Sequence, residues 1–278
     1  MPKIKINDTE LYYTEHGTGI PFLVMHGGLG VDHSYFRPTF DPLGDIFKLI
    51  YYDHRGNGRS GRPPLDTITY EQLATDTHVL REILGYDQIG VIGHSAGGYV
   101  ALQYAIHHQK NLSYLILIDT APAFDYMKEL LDNVKNKNPT PEMIATLNAP
   151  AAPTIEGFQQ QFKILQPLYF YDFNSEIKEK TDEIVEKMIL NPEVAALNDV
   201  LTPKFNVTSQ LSEIKVPTLI LVGIDDFICP PSQAKRMHNS ISNSELVIFE
   251  RCGHYPFYEV PDEFFRILRD WFKKVHQK

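Results

Sequence analysis

The chain has 278 residues, 43% hydrophobic and 22% charged, which is enough apolar material for a packed core and excludes a largely disordered chain. Its 35 acidic against 26 basic residues give a net charge of −9 with no Lys/Arg block, which argues against nucleic acid as a partner. Two cysteines (Cys229, Cys252) cannot form a disulfide framework, no apolar run nears the ~20 residues of a membrane span, and the first residues lack a secretory pattern, so a cytoplasmic protein with no membrane partner is expected.

In chain order, residues 4–6 and 11–13 read as short strands around an Asn7-Asp8 turn. A continuous apolar run follows at 21–25, and similar runs recur at 47–52, 89–92, 114–118, 218–222 and 246–249. Runs without alternation suit strands covered on both faces, as in a parallel sheet with crossover helices. Between them, residues 70–84 place Leu73, Thr77, Leu80 and Leu84 on one helix face, with a Thr69/Gln72 capping box at the start and Gly85 at the end. Phe264, Leu268 and Trp271 make a similar stripe near the C-terminus. The fold class is α/β, a mostly parallel sheet flanked by helices.

Residues 122–205 break the alternation. They hold eight prolines, no strand pattern, helix starts at Thr140-Pro141 and Pro153-Thr154, and an amphipathic set of Ile177, Ile184, Val185 and Met188. The segment reads as a helical cap inserted into a core formed by residues 1–121 and 206–278. Its glutamates (Glu156, Glu176, Glu179, Glu183, Glu186, Glu193) mostly alternate with lysines at helical spacing and read as a solvated face.

The chemistry falls at strand ends. The run 89–92 leads into Gly93-His94-Ser95-Ala96-Gly97, followed by a helix beginning near Tyr99. A serine on such a strand–turn–helix bend projects its hydroxyl, and the Ala96 N–H then faces a developing oxyanion. Serine needs a base, since its hydroxyl is scarcely ionised at neutral pH. His254, in a Gly/Pro loop after the last strand, is the expected base. His16, His107, His108, His238 and His276 read as surface positions, His78 lies in a helix, and His94 is expected to pack or hydrogen-bond locally. The acid is expected in the loop after 218–222, with Asp226 favoured, Asp225 solvated or structural, and Asp119 a weaker alternative. A second oxyanion donor is expected in His26-Gly27-Gly28-Leu29-Gly30, at Gly28 with Leu29 as competitor. Both cysteines are expected as free thiols near these loops.

The order Ser, Asp, His, with His26-Gly27-Gly28, Asp53-His54-Arg55-Gly56-Asn57-Gly58-Arg59-Ser60, Gly93-His94-Ser95-Ala96-Gly97 and Gly253-His254, resembles the α/β-hydrolase superfamily over nearly the whole chain. The resemblance implies a cofactor-free, metal-free hydrolase, with the Asp53–Ser60 turn as structural support for the active-site rim. His26-Gly27-Gly28-Leu29-Gly30 is similar to the HGGPG of prolyl iminopeptidases but carries Leu29 where those have proline, and their GGSWG contrasts with Gly93-His94-Ser95-Ala96-Gly97. A small-molecule ester or lactone is therefore the expected substrate, with a prolyl peptide or other small amide as the alternative. A non-enzymatic receptor on the same fold is the third reading. Oligomeric state is not legible in the sequence.

Overall fold

The computed structural model describes residues 3–277. The strands are β1 (Lys3–Ile6), β2 (Thr9–His16), β3 (Ile20–Met25), β4 (Phe47–Tyr52), β5 (Ile89–His94), β6 (Leu112–Ile118), β7 (Thr218–Gly223) and β8 (Ser244–Phe249). The helices are α1 (Tyr70–Ile83), α2 (Ala96–His107), α3 (Met127–Asn136), α4 (Pro141–Leu147), α5 (Ile155–Tyr169), α6 (Ser175–Lys187), α7 (Pro192–Ala195), α8 (Asn198–Leu201), α9 (Pro231–Ser240), α10 (Pro256–Glu259) and α11 (Pro261–His276). All eight strands form one sheet in the order β1-β2-β4-β3-β5-β6-β7-β8. The β1–β2 hairpin turns at Asn7 and β2 runs antiparallel to β4, while every pair from β4 to β8 is parallel. Among the described residues, no helix is long and apolar enough to cross a membrane.

Successive strand residues point to opposite faces, so the apolar runs feed two cores. Leu23, Met25, Val91, Leu115, Leu117, Ile220 and Val222 pack with α1, α2 and α9. Phe22, Val24, Ile92, Ile116, Ile118, Leu219 and Leu221 pack with the segment Tyr35–Leu43 and the Phe264, Leu268, Trp271 and Phe272 stripe of α11. Burial on both faces explains why these strands show no polar alternation.

Several boundaries differ from the sequence reading. The helix after Ser95 begins at Ala96, three residues before the expected Tyr99, because Ser95 itself ends the turn. The capping box at α1 is half formed: Thr69 Oγ1 accepts from Gln72 N at 3.1 Å, but the Gln72 side chain reaches forward to Asp76. His16 and His108, read as surface positions, are half-buried. His16 Nε2 lies 3.0 Å from the Asp41 carbonyl, and His108 stacks on His78 with ring centroids 4.0 Å apart.

Between β6 and β7 the chain is helical. Thr140, Thr154 and Asn174 cap α4, α5 and α6 through their side-chain oxygens, and Pro141 opens α4. One isolated β-bridge, Ala123 to Asn206, closes the base of this excursion.

The Asp53–Ser60 turn is buried and braces the loop after β3. Asp53 Oδ1 accepts from His33 N (3.1 Å), Asp53 Oδ2 from Arg59 N (2.8 Å), and Asn57 Oδ1 from Gly30 N (2.6 Å). Burial alone would raise the Asp53 carboxyl, but the hydrogen bond from His33 holds it well below the ordinary carboxylate range.

Candidate active site

The carboxyl ends of β3, β5, β6, β7 and β8 lie along one edge of the parallel sheet, where such folds gather their functional loops. Ser95 follows β5 with φ 54° and ψ −124°, a conformation that costs a non-glycine residue roughly 1–3 kcal/mol. Its backbone is held on every side. Ser95 N donates to Ile118 O (3.0 Å), while Ser95 O accepts from Gly98 N and from Thr120 Oγ1 (2.8 Å each). Gly97 lets the turn approach β3: a Cβ there would lie 2.2 Å from Met25 O and 2.6 Å from His26 O.

His254, in the loop after β8, is 2% exposed. Its Nδ1 lies 2.8 Å from Asp226 Oδ2, and Asp226 Oδ1 accepts from Ile228 N and Cys229 N at 3.0 Å each. Asp225 turns away and pairs with Lys137. Asp119, at the end of β6, is also buried and accepts from Gly223 N at 2.9 Å, and its second oxygen has no donor among the described residues. Burial, with the carboxylate of Asp226 beside it, pushes its carboxyl well above the ordinary value. Ser95 and His254 line one cavity. Among the described residues no hydrogen bond closes between them, a contact that commonly tightens only with substrate present.

Four consecutive amides after β3 have different fates. Gly27 N donates to Tyr35 Oη (2.7 Å), Leu29 N to Asn198 Oδ1 (3.3 Å) and Gly30 N to Asn57 Oδ1 (2.6 Å). Gly28, at φ 67°, has no acceptor for its N–H among the described residues. Ala96, as the first residue of α2, likewise has an N–H without an intrahelical partner.

His94 does more than bond locally. Its Nε2 lies 3.0 Å from the His254 carbonyl and must donate there, which makes Nδ1 the acceptor of the Tyr35 hydroxyl at 2.8 Å. The relay Gly27 N–H, Tyr35 O–H, His94 N–H ties the loop after β3 to the His254 loop and requires a neutral His94. Burial pushes the His94 imidazole well below its ordinary value, in agreement with that tautomer. Glu259 adds a second tie, accepting from Gly253 N (2.6 Å) and Tyr171 N (2.7 Å). Tyr35, Thr120 and Glu259 carried no motif in the sequence, since their partners come from distant segments.

Burial also pushes His26 and His54 below the ordinary histidine value. The unfolded chain keeps them near 6.5, so on acidification below that pH it gains protons the fold refuses, and stability falls. Each of these three histidines contributes up to about 1.4 kcal/mol per pH unit in that window. Urea midpoints measured at pH 7.5, 6.5 and 5.5 are expected to decline most over the last step; a rise there would contradict the assignment.

The cavity has a volume of about 730 Å³ and is mainly apolar. Phe158, Phe162, Tyr169 and Phe170 from the helical excursion line it, while Tyr171 is exposed beneath Arg251 and Phe173 packs behind Phe170. Asp199, which is exposed, is the one carboxylate among the described lining residues, and Glu156, Glu176, Glu179, Glu183, Glu186 and Glu193 lie elsewhere. Asp226, Cys229 and His254 bring ligand atoms within 4.8 Å, a spacing open to a metal. The direct Asp226–His254 hydrogen bond and a Cys229 thiol pushed up by burial suit an acid–imidazole pair better. Both cysteines are free and buried.

Residues 20–261 match the alpha/beta hydrolase fold family. A proline iminopeptidase of Lactobacillus acidophilus is 32% identical over 266 residues, covering 90% of this chain and 89% of its own. A proline iminopeptidase of Pestalotiopsis fici is 29% identical, covering 98% and 99%. Among solved structures, a thermophilic esterase from Thermogutta terrifontis superposes with a TM-score of 0.77 at 28% identity, covering 99% of this chain and 100% of that one.

Proposed function

Because the chain belongs to the α/β-hydrolase fold family and is a hydrolase, we propose that it cleaves a small carboxylic ester or lactone through an acyl-enzyme on Ser95. Ser95 Oγ attacks the carbonyl carbon as His254 Nε2 takes its proton, with Asp226 holding Nδ1–H and stabilising the imidazolium. The Gly28 and Ala96 N–H groups receive the oxyanion; neither has an acceptor among the described residues. His254 then protonates the leaving alcohol, and water releases the acyl group by the same route. Residues 122–205 act as the cap over this site, supported by their share of the cavity wall.

The observation that carries the choice of substrate is the lining of the cavity. A free α-amino group, which a prolyl peptide presents, needs a desolvated counter-charge, and the exposed Asp199 is a weak one. An uncharged acyl group needs none. The names of the relatives favour the second reading, a prolyl aminopeptidase. Initial rates on a short-chain p-nitrophenyl ester, an acyl lactone and prolyl p-nitroanilide separate the two. The ester or lactone is expected to exceed the anilide by about 100-fold in kcat/KM, with a fluorophosphonate labelling Ser95. A dominant anilide rate would establish the peptidase reading instead.

A further inference from the structure

The wall of the cavity contributed by α5 is a helical stripe. Phe158, Gln161, Phe162, Leu165, Gln166 and Tyr169 recur at spacings of three and four and all face the cavity. Two members are glutamines, and they are spent differently. Gln161 is satisfied by the backbone: its Oε1 accepts from Ala152 N (2.7 Å) and its Nε2 donates to Pro150 O (2.9 Å). Gln166 is 1% exposed, and its Nε2 has no acceptor among the described residues. No hydrogen bond there uses its Oε1 either.

A buried amide with no partner costs about 1–3 kcal/mol, so such a group in a cavity wall calls for a ligand. Its position ties it to the chemistry. Gln166 lies one helical turn before Tyr169, whose carbonyl accepts from His254 N at 2.7 Å and whose ring centroid lies 5.5 Å from that of His254. Phe162 and Tyr169 stack at 6.0 Å on the same helix. The carboxamide is therefore a polar position set in an aromatic wall close to the expected base.

We propose that Gln166 recognises a second, uncharged carbonyl or amide group carried by the substrate in addition to the ester bond that is cleaved. A carboxamide offers an NH₂ donor and a carbonyl acceptor, and a –CO–NH– group, whose C=O accepts and whose N–H donates, answers whichever of the two faces it in either orientation of the glutamine. A charged group is disfavoured at this position, since the one lysine of the lining, Lys135, is exposed and paired with Asp132. This inference rests on the ester reading above and narrows it to esters or lactones of amide-bearing molecules.

The test compares three p-nitrophenyl esters of equal length, with an all-carbon, a keto-substituted and an amide-substituted acyl chain. The same three chains are then placed in the alcohol part of acetate esters. Wild type is expected to prefer the amide ester over the hydrocarbon by about 3- to 10-fold in kcat/KM, with the ketone between them. In Gln166→Met that ratio is expected to fall to about one. In Gln166→Glu, which serves if the methionine variant fails to fold, the ratio is expected to fall at neutral pH and recover on acidification, when the carboxyl regains a donor. Taking the ratio cancels the loss of activity that both substrates share. Equal rates on all three chains in both series, or a preference that Gln166→Met and Gln166→Glu leave intact, would overturn the proposal and assign Gln166 to bound water. Absence of turnover on every ester, or of Ser95 labelling, would instead overturn the ester reading itself.

Discussion

Asparagine at position 226 is expected to lower kcat/KM on an acyl ester by about 10⁴-fold, with the fold intact. The reason is the direction of each hydrogen bond. Asp226 Oδ1 faces two backbone donors, Ile228 N and Cys229 N, while Oδ2 faces His254 Nδ1 at 2.8 Å. In Asp226→Asn the amide oxygen takes the two backbone N–H groups, and the NH₂ is left facing the imidazole. His254 must then accept at Nδ1 and carry its proton on Nε2, where it cannot take the proton of Ser95. Asp119 gives the internal control. Burial pushes its carboxyl well above the ordinary value, its one bonded oxygen accepts from Gly223 N, and asparagine tolerates its φ of 45°. Asp119→Asn is therefore expected to cost less than about 10-fold, within the range of one neutral hydrogen bond. Steady-state kinetics on both variants, with circular dichroism to check the fold, decide the matter. Equal losses at 119 and 226 would show that the acid function is not confined to Asp226.

The sheet was legible because its strands are buried on both faces: 21–25 reads as an unbroken apolar run and 47–52 as one interrupted only by Lys48, and the structure lengthens the first by only Ile20. The helix starts at Thr140, Thr154 and Thr69 were legible because capping is a local matter of one side chain and the amides just after it. What the sequence could not supply was the partner of a polar group when that partner lies far along the chain. His94 reads as a neighbour of Ser95, yet it spends Nε2 on a carbonyl 160 residues away. Gly28 and Leu29 are adjacent glycine-loop amides in the sequence. They differ because Asn198, from the helical segment, engages Leu29 at both N–H and carbonyl. Gln161 and Gln166 have the same side chain and helix, and only the fold shows which of them has spent its amide. Periodicity locates a face, but it does not tell which polar groups on that face remain unpaired.

The same gap explains the largest stability effect expected, at Asp76, which no motif marks. Arg55 sits in the Asp53–Ser60 turn and is 1% exposed. Its guanidinium grips Asp76 of α1 with Nε and with Nη2, the latter at 2.7 Å from Oδ1. It also reaches Asp8 (2.9 Å) and Thr67 (3.1 Å), and Asn7 and Gln72 donate to Asp76 at 2.9 and 3.0 Å. One buried pair therefore joins the β1–β2 hairpin, the turn after β4 and the first turns of α1. Removing the carboxylate leaves a buried cation facing Asp8, which is itself 57% exposed. Asp76→Ala is expected to lower the unfolding free energy by about 3–5 kcal/mol, the cost of stranding one partner of a buried pair. Replacing both partners by apolar residues, Arg55→Met with Asp76→Leu, is expected to recover much of that loss, because no charge is then left desolvated. Urea denaturation of the single and double variants measures both. A single-variant loss below about 1 kcal/mol would place the pair among ordinary surface ion pairs, and a double variant less stable than Asp76→Ala would show that the pair contributes more than the desolvation it offsets.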